Sequence, residues 1–266
     1  MSERDLFTKR LGEQEKTALN VLRNCGLSRI TIPYFVKDTT LYMTCGTPVD
    51  AGRLSTVQLY RECLKDLHSV TAPAFTPRIY AFYGTDLHPY VGERYGAFLK
   101  RQVDVLQAGK GSSQYKIINT VYSYCAQALA QGFVKHRAAL DSLTSFSLLH
   151  GDLHCGNILE LNGIYKLIDF EYLMFGPRQV EIAFLLFWTF ISGEEPFPNS
   201  ALLRKRISVT CAEMGLDSEA VAQIEDVFFP LFLFLVADSL TKGRYADPFP
   251  FQKGLKSFYE NMLPEL

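Results

Sequence analysis

His150-Gly151-Asp152-Leu153-His154-Cys155-Gly156-Asn157 is the stretch on which the reading of this chain turns. Two short strand-like runs joined at Asn162-Gly163 follow it, and then Asp169-Phe170-Glu171. The spacing H-x-D-x-x-x-x-N, with Asp-Phe one hairpin downstream, is the layout of a phosphoryl-transfer site. Such a transfer leaves the protein little covalent work; positioning and charge neutralisation are its tasks. Asp152, on a loop after a strand, would accept the proton of an attacking hydroxyl. The hairpin would bring the Asn157 amide and the Asp169 carboxylate to one point, where their oxygens suit Mg2+. His150 would brace the loop through backbone hydrogen bonds, and His154 would pack or hydrogen-bond within it.

Each of these residues has a plainer reading on its own. Asp152 is also a good turn residue, Asn157 a good strand-edge cap, and Asp169 a good cap for the loop after its strand. His150, Asp152 and His154 could form a mixed imidazole–carboxylate zinc site, but that leaves the hairpin and Asp169 without a role. Their joint occurrence at this spacing around a hairpin favours phosphoryl transfer.

Composition narrows the class. Across 266 residues, 27 basic and 28 acidic side chains leave a formal charge of −1, which favours neither a nucleic-acid nor a membrane-surface partner. A hydrophobic share of 48% with 21% charged residues is that of a globular protein. The length allows one large domain or two unequal lobes. Cys25, Cys45, Cys63, Cys125, Cys155 and Cys211 are scattered with no C-x-x-C pair, which argues for a reducing compartment. The charged opening Met1-Ser2-Glu3-Arg4-Asp5 has no apolar stretch behind it, and no secretion signal is visible. The longest apolar run, Val227 to Ala237, contains Pro230 and is about half the ~20 residues of a membrane span. The expectation is a cytoplasmic protein, monomer or homodimer, with neither nucleic acid nor membrane as partner.

Along the chain, Leu6 to Leu11 reads as a strand with Phe7, Lys9 and Leu11 on one face, broken by Gly12. Glu13 to Asn24 reads as a helix ended by Cys25-Gly26. Strands are expected over Ile30–Val36 and Leu41–Thr44, with a hinge at Gly46-Thr47-Pro48. Leu54–His68 is helical in pattern, as are segments near 93–107 and 114–139. Ser145–Leu149 is a brief strand, and Asn157–Leu161 and Ile164–Ile168 form a hairpin over Asn162-Gly163. Helices near 178–192, 200–214, 217–241 and 250–262 complete the chain.

The run His150 to Leu159, with Leu167 to Glu171 and Gly176-Pro177-Arg178, resembles the aminoglycoside phosphotransferase/choline kinase family. Leu149 to Phe187 carries the core of that likeness. The resemblance implies an α+β, protein-kinase-like two-lobe fold. Residues 1–46 would be a truncated, small β-rich nucleotide-binding lobe, and 47–266 a large, mainly helical catalytic and substrate-binding lobe. It also implies an enzyme that moves the γ-phosphate of ATP, or of GTP, to a hydroxyl of a small molecule, with Mg2+. Asp152 would be the base, and Asn157 and Asp169 the metal-holding pair. Lys9 matches the strand lysine that contacts nucleotide phosphates, and Glu15 the helix glutamate that pairs with it, with Glu13 and Arg10 as rival partners. Met43, Thr44 and Cys45 fall where the family's hinge offers backbone groups to adenine. Glu181 stands where many relatives carry aspartate before Ile-Ala, and would brace the site. Gly151 and Glu171 replace an arginine and a glycine of eukaryotic protein kinases, so phosphoregulated protein kinase activity is not implied.

Two features qualify this likeness. Family members usually begin with two strands and a loop folding over the phosphates, whereas only eight residues precede Lys9 here and no glycine occurs before Gly12. The glycine-loop strands are expected to be missing, leaving the nucleotide more exposed and more weakly bound, or covered by another segment or chain, unless the true start lies upstream. Acceptor recognition, by resemblance, lies in the carboxy-terminal part and the loops facing Asp152, where Glu171, Trp188, Glu194, Glu195 and Asp238 are candidates. Aromatics beside carboxylates suit a cationic acceptor such as an aminoglycoside, choline or another amino alcohol; as plain structure they are core aromatics and a solvated loop. The alternative to an enzyme is a non-catalytic kinase-like protein that binds nucleotide or metabolite, or serves as a structural partner.

Overall fold

The computed structural model describes residues 6–50, 53–73, 145–191, 200–225 and 228. Strand β1 (Leu6–Arg10) leads through Gly12 into helix α1 (Glu13–Asn24). Glu15, Ala18, Leu19 and Leu22 form the buried stripe of α1, at the three-to-four-residue spacing a helix needs to present one face. The helix closes where Gly26 turns left-handed (φ 72°) and Leu27 N–H donates to the Leu22 carbonyl at 2.8 Å.

The strand expected over Ile30–Val36 is shorter. Ser28–Ile30 makes a 3-10 turn, and strand β2 spans Tyr34–Lys37. Pro33 accounts for the difference, since it has no N–H to give a ladder and restricts Ile32 before it. Strand β3 (Thr40–Thr44) pairs antiparallel with both β1 and β2, giving the order β1-β3-β2. On one face of β3, Leu41 and Met43 are buried; on the other, the Tyr42 ring stacks on Phe35 at 4.6 Å between centroids.

The Gly46-Thr47-Pro48 segment is tied down as well as extended. Strand β4 (Thr47–Pro48) pairs with Glu160 and Leu159 of the later hairpin. A Cβ at Gly46 would lie 2.9 Å from Ile32 Cδ1 and 3.2 Å from the Glu160 carbonyl, so only glycine passes without displacement. The helix expected over Leu54–His68 is present in three parts: α2 (Thr56–Leu59), a π-helical turn Tyr60–Leu64, and α3 (Lys65–Ser69). Ser55 caps its start by accepting Gln58 N–H. In the π turn, Glu62 accepts the Tyr165 amide at 2.7 Å while Cys63 Sγ–H donates to the Tyr165 carbonyl. These bonds dock the helix onto the hairpin.

Strands β5 (Thr71–Pro73) and β6 (Ser145–Leu149) are adjacent in a sheet completed by β9 (Met174–Gly176), in the order β5-β6-β9. In chain order between β6 and β9 comes the hairpin of β7 (Ile158–Leu161) and β8 (Ile164–Leu167), which forms a separate sheet with β4 in the order β4-β7-β8. Its turn residues Asn162 and Gly163 both have positive φ, 55° and 77°, the twist-matched turn that Asn-Gly favours. Helix α4 (Arg178–Ile191) and helix α5 (Ser200–Glu213) follow, and residues 218–225 are helical, with Asp217 capping the Ala220 amide at 2.8 Å. Helices expected near 93–107, 114–139 and 250–262 lie outside the described residues. The chain divides into two compact units, Met1–Phe82 with Thr144–Thr189, and Tyr83–Leu143 with Phe190–Leu266. Among the described residues, no helix is long and apolar enough to cross a membrane.

Candidate active site

β1 carries Lys9 and α1 carries Glu15, and the Gly12 break between them turns the two elements face to face. Lys9 Nζ stands 2.9 Å from Glu15 Oε2 and 2.8 Å from Asp169 Oδ1. Of the partners within reach by sequence, the ammonium meets Glu15; Glu13 faces Lys16 instead. Burial works against the Lys9 charge, but the hydrogen bonds and charges of Asp169 and Glu15 outweigh it and hold its pKa above 10.5. Glu15 is 4% exposed, and burial raises its pKa against the pull of Lys9. The Glu171 charge adds to that rise from the 3-10 turn Phe170–Tyr172, which packs against α1.

Asp169 itself sits in the left-handed region (φ 63°, ψ 61°), a conformation that costs a non-glycine residue on the order of 1 kcal/mol. The twist lifts its carboxylate out of the β8 direction, toward Lys9. One residue earlier, the Ile168 amide donates to the Asn157 carbonyl at 3.1 Å, so the ends of the hairpin are held side by side. The Asn157 side chain is buried and donates through Nδ2 to the Asp152 carbonyl at 2.8 Å. That bond sets the orientation of the amide and reserves Oδ1 as its acceptor end. Asn157 Oδ1 with the Asp169 carboxylate is a hard-oxygen donor set, the kind that fits Mg2+.

The Asp152 loop is braced from three sides. His150, fully buried, donates from Nε2 to the Ile168 carbonyl at 2.8 Å, while its Nδ1 faces the Asp152 amide at 3.4 Å. With both ring nitrogens turned to backbone, no lone pair is left for zinc. Among the described residues no group of three His, Cys, Asp or Glu side chains could hold a metal ion. Glu181, on α4, accepts the Gly151 amide through Oε1 at 2.9 Å. Gly151 has φ 85°, and a Cβ there would fall 2.0 Å from the Tyr172 carbonyl oxygen. The loop therefore passes hard against the turn after Asp169.

His154 Nε2 is 3.6 Å from Asp152 Oδ2. The nearby Asp152 carboxylate, helped by Cys155 and opposed by burial, raises the His154 pKa to about 9. The Gly156 amide, aimed at His154 Nδ1 at 3.0 Å, favours instead the neutral ring. In either state the Nε2 proton faces Asp152. The same imidazole lowers the Cys155 thiol pKa against the effect of burial.

Burial pushes the His150 pKa below 6.5, with Glu181 and the Ile168 carbonyl pulling the other way. The unfolded chain takes up a proton at His150 near pH 6.5 while the folded chain does not, so stability falls as pH drops below that value until the folded pKa is reached. The melting temperature is expected to decline as pH is lowered below about 6.5. His150→Gln, which keeps the donor to Ile168 without the titration, should flatten that slope in a pH series of thermal melts; an equal slope in both proteins removes the assignment.

Met43 is buried, Thr44 half-buried and Cys45 exposed, all at the end of β3 on the way to β4. Glu194, Glu195 and Asp238, and the side chain of Trp188, lie outside the described residues. Two residues beyond the expected set emerge. Phe7 is 53% exposed, lies opposite Met43 in the β1–β3 register, and shares the Lys9 face. Strand alternation already placed Phe7 on the Lys9 face; what it did not show is that the ring stays exposed there. His68, on α3, meets Glu181 Oε2 through Nε2 at 2.8 Å. A lone histidine on an apolar helix offers no sequence signal for that contact.

Residues 42–206, more than half of the chain, match the phosphotransferase enzyme family. No curated protein matches the sequence. Among solved structures, APH(2'')-IIa in complex with gentamicin aligns at a TM-score of 0.58 and 13% identity, over 97% of this chain and 86% of that one. Choline kinase from Cryptosporidium parvum Iowa II gives 0.52 at 15% identity, over 96% and 80%. Glucosamine kinase in complex with glucosamine, ADP and inorganic phosphate gives 0.54 at 14% identity, over 100% and 78%. At such identities the structural likeness speaks to the fold, which is α+β and protein-kinase-like with a β-rich amino-terminal region. By the extent of the sequence match, the chain belongs to the phosphotransferase enzyme family.

Proposed function

We propose that this chain transfers the γ-phosphate of ATP, or of GTP, to a hydroxyl of a small molecule, with Asp152 as the base. The observation that carries the reading is Lys9 Nζ bonded to both Glu15 and Asp169, beside a loop that Asn157 ties to Asp152. A flexible ammonium held by two carboxylates is a ready counter-charge for a polyphosphate. Glu15, buried and bonded, keeps it aimed. Asn157 and Asp169 would hold Mg2+, which neutralises phosphate charge when bound. Asp152 would take the proton of the acceptor hydroxyl, and the braces from His150 and Glu181 keep its loop in place. In this reading residues 1–46 are the nucleotide-binding lobe, with Met43, Thr44 and Cys45 along the base, and residues 47–266 supply catalysis and acceptor binding.

A cationic acceptor is the best-supported class. Glu171 adds negative charge beside the Asp169 turn, and in the sequence Trp188, Glu194, Glu195 and Asp238 are further aromatic and acidic candidates for recognising an amine. Gentamicin, choline and glucosamine, named with the structural relatives, are amines with hydroxyl groups. The test is an ADP- or GDP-release screen over aminoglycosides, amino sugars, choline, homoserine and neutral sugar alcohols, paired with thermal melts in Mg2+ and each nucleotide. Turnover with an amine supports the reading. A melting shift without turnover on any acceptor points to a nucleotide-binding, non-catalytic protein, and no shift with either nucleotide defeats the proposal.

Phe7 should contribute to base binding. Its exposed ring shares a face with Lys9 and lies opposite Met43, so a base near β3 would meet it. Phe7→Ala is expected to weaken ATP or GTP binding by about 5- to 150-fold, the range for losing one base–aromatic stack. Binding of Mg2+-tripolyphosphate, which has no base, should be unchanged. Calorimetric titration of both ligands checks this, and equal losses for the two would show that Phe7 acts on strand β1 and not on the base.

A further inference from the structure

Phe35 and Val36 are neighbours on β2, and both are exposed, at 50% and 39%. Adjacent strand residues point to opposite faces of a sheet, so β2 presents apolar surface on both. One face of the Phe35 ring is covered by Tyr42 of β3, stacked at 4.6 Å between centroids with 2° between the planes. β3 is the neighbour of β2 on one side; among the described residues no strand lies on the other. The second face of the ring is therefore turned away from β3, past the edge of the sheet.

The backbone is open at that edge as well. The Thr44 amide donates to the Pro33 carbonyl at 3.0 Å, and the same register continues through Phe35↔Tyr42 and Lys37↔Thr40. In an antiparallel ladder every second residue bonds to a given neighbour. Phe35 and Lys37 thus spend their amides and carbonyls on β3, while Tyr34 and Val36 turn theirs outward. An open edge that also carries exposed apolar side chains is a pairing surface. The other edge strand of this sheet, β1, carries Lys9 and Arg10 side by side, charges that discourage such pairing.

The strand is self-complementary. Asp38 is left-handed (φ 54°) and ends the extended run, so a new strand has Pro33 to Lys37 to pair with. A second, antiparallel copy of β2 uses every outward-facing group when each Tyr34 pairs with the other Val36. That register sets Phe35 opposite Phe35 at the two-fold axis, as a non-hydrogen-bonded pair with Cα atoms about 4.5 Å apart. The free face of each ring then meets the other, and the Phe35–Tyr42 stack runs on into the second copy. On the opposite face Tyr34 meets Val36, an aromatic–branched pair of the kind that stabilises sheets. Lys37 falls opposite Pro33, so no like charges face each other. The contact is isologous and closes at two copies.

We propose that the outer edge of β2 is the pairing surface for a second copy of this chain, joining two three-stranded sheets into one through Phe35 opposite Phe35. A strand of four residues covers less than the roughly 1,000 Å² of a stable interface. The association is therefore weak and rises with protein concentration. It stands apart from the phosphate transfer proposed above.

The experiment uses the full chain without ligand. Sedimentation velocity over a concentration series reaching about 0.5 mM, where a Kd in the high micromolar range is visible, should show a monomer–dimer equilibrium. Phe35→Glu should weaken association by about tenfold or more, through a lost aromatic pair and like charges set opposite each other. Phe35→Lys should do the same. Mixing the two variants should restore association above that of either alone, because residue 35 then meets its opposite charge. Phe35→Cys under mild oxidant should give a dimer linked through residue 35, identified by peptide mass spectrometry so that links through the exposed Cys25 and Cys45 are told apart. Val36→Cys should not link to its copy, since the two would stand beyond the roughly 7 Å that a disulfide spans. The proposal is overturned if the wild type stays monomeric throughout the series, if Phe35→Glu associates as tightly as the wild type, if the mixed variants stay apart, or if residue 36 links as readily as residue 35. Should the variants not fold, hydrogen exchange in the wild type decides. With rising concentration the amides of Tyr34 and Val36 should slow while those of Phe35 and Lys37, already bonded to β3, keep their rates; any other pattern overturns the pairing. Failure of the proposed phosphate transfer would leave all of these measurements unchanged.

Discussion

Asp152→Asn is expected to lower turnover by about 10²–10⁴ while leaving nucleotide binding intact, the range for removing a general base. The substitution is conservative in shape. Two contacts that help place residue 152 are made by its backbone: its amide faces His150 Nδ1 and its carbonyl accepts Asn157 Nδ2. Neither changes when the side chain becomes an amide, so these two bonds continue to hold the loop and the Asn157 side chain. What disappears is a carboxylate able to take a proton. A second readout is independent of turnover. The Asp152 carboxylate is the first cause raising the His154 pKa to about 9, and in Asp152→Asn that value should fall toward the ordinary imidazole range. Following the His154 ring protons by NMR through a pH titration would detect it. Unchanged turnover would take Asp152 out of its proposed role, and an unchanged His154 titration would deny the ion pair.

The second large effect is expected at Asp169. Wild-type protein saturated with Mg2+-nucleotide at 100 times its Kd should gain about 2.7 kcal/mol of stability, because the ligand binds only the folded state. Asp169→Asn should lose the Mg2+-dependent part of that gain. Asparagine is the informative choice because it tolerates the left-handed backbone found at this position, whereas alanine would add strain of its own. The variant keeps an oxygen but not its charge, and it also removes one of the two carboxylates bonded to Lys9. Thermal melts with nucleotide, with and without Mg2+, separate the two consequences. A full Mg2+-dependent shift in Asp169→Asn would place the metal elsewhere.

Much of the local architecture was legible in the amino acids. Helix α1 begins and ends at the expected residues because its apolar stripe, its acidic first turn and Gly26 all agree. The β7–β8 hairpin was legible because Asn162-Gly163 supplies the two positive φ values that a two-residue turn requires. Where the reading went astray, a specific competitor was at work. Pro33 shortened a strand by withholding its N–H. The helix from Thr56 to Ser69 contains a π turn that propensity does not foresee, and that turn brings Glu62 and Cys63 onto the backbone of Tyr165.

The candidate site divides along the same line. Asp152, Asn157 and Asp169 could be singled out because their spacing around a predicted hairpin is itself the signal, and a hairpin is a local structure. Sequence by itself thus determined helix α1, the hairpin turn and the order of the polar groups along one short stretch, since propensity, periodicity and turn chemistry act over a few residues. Tertiary structure alone decided that Lys9 reaches Asp169 across 160 positions, and that His68 meets Glu181 across 113. Contacts at that separation form only when whole elements bury their apolar faces against each other. No local preference of a lysine or a histidine encodes which carboxylate it will find there.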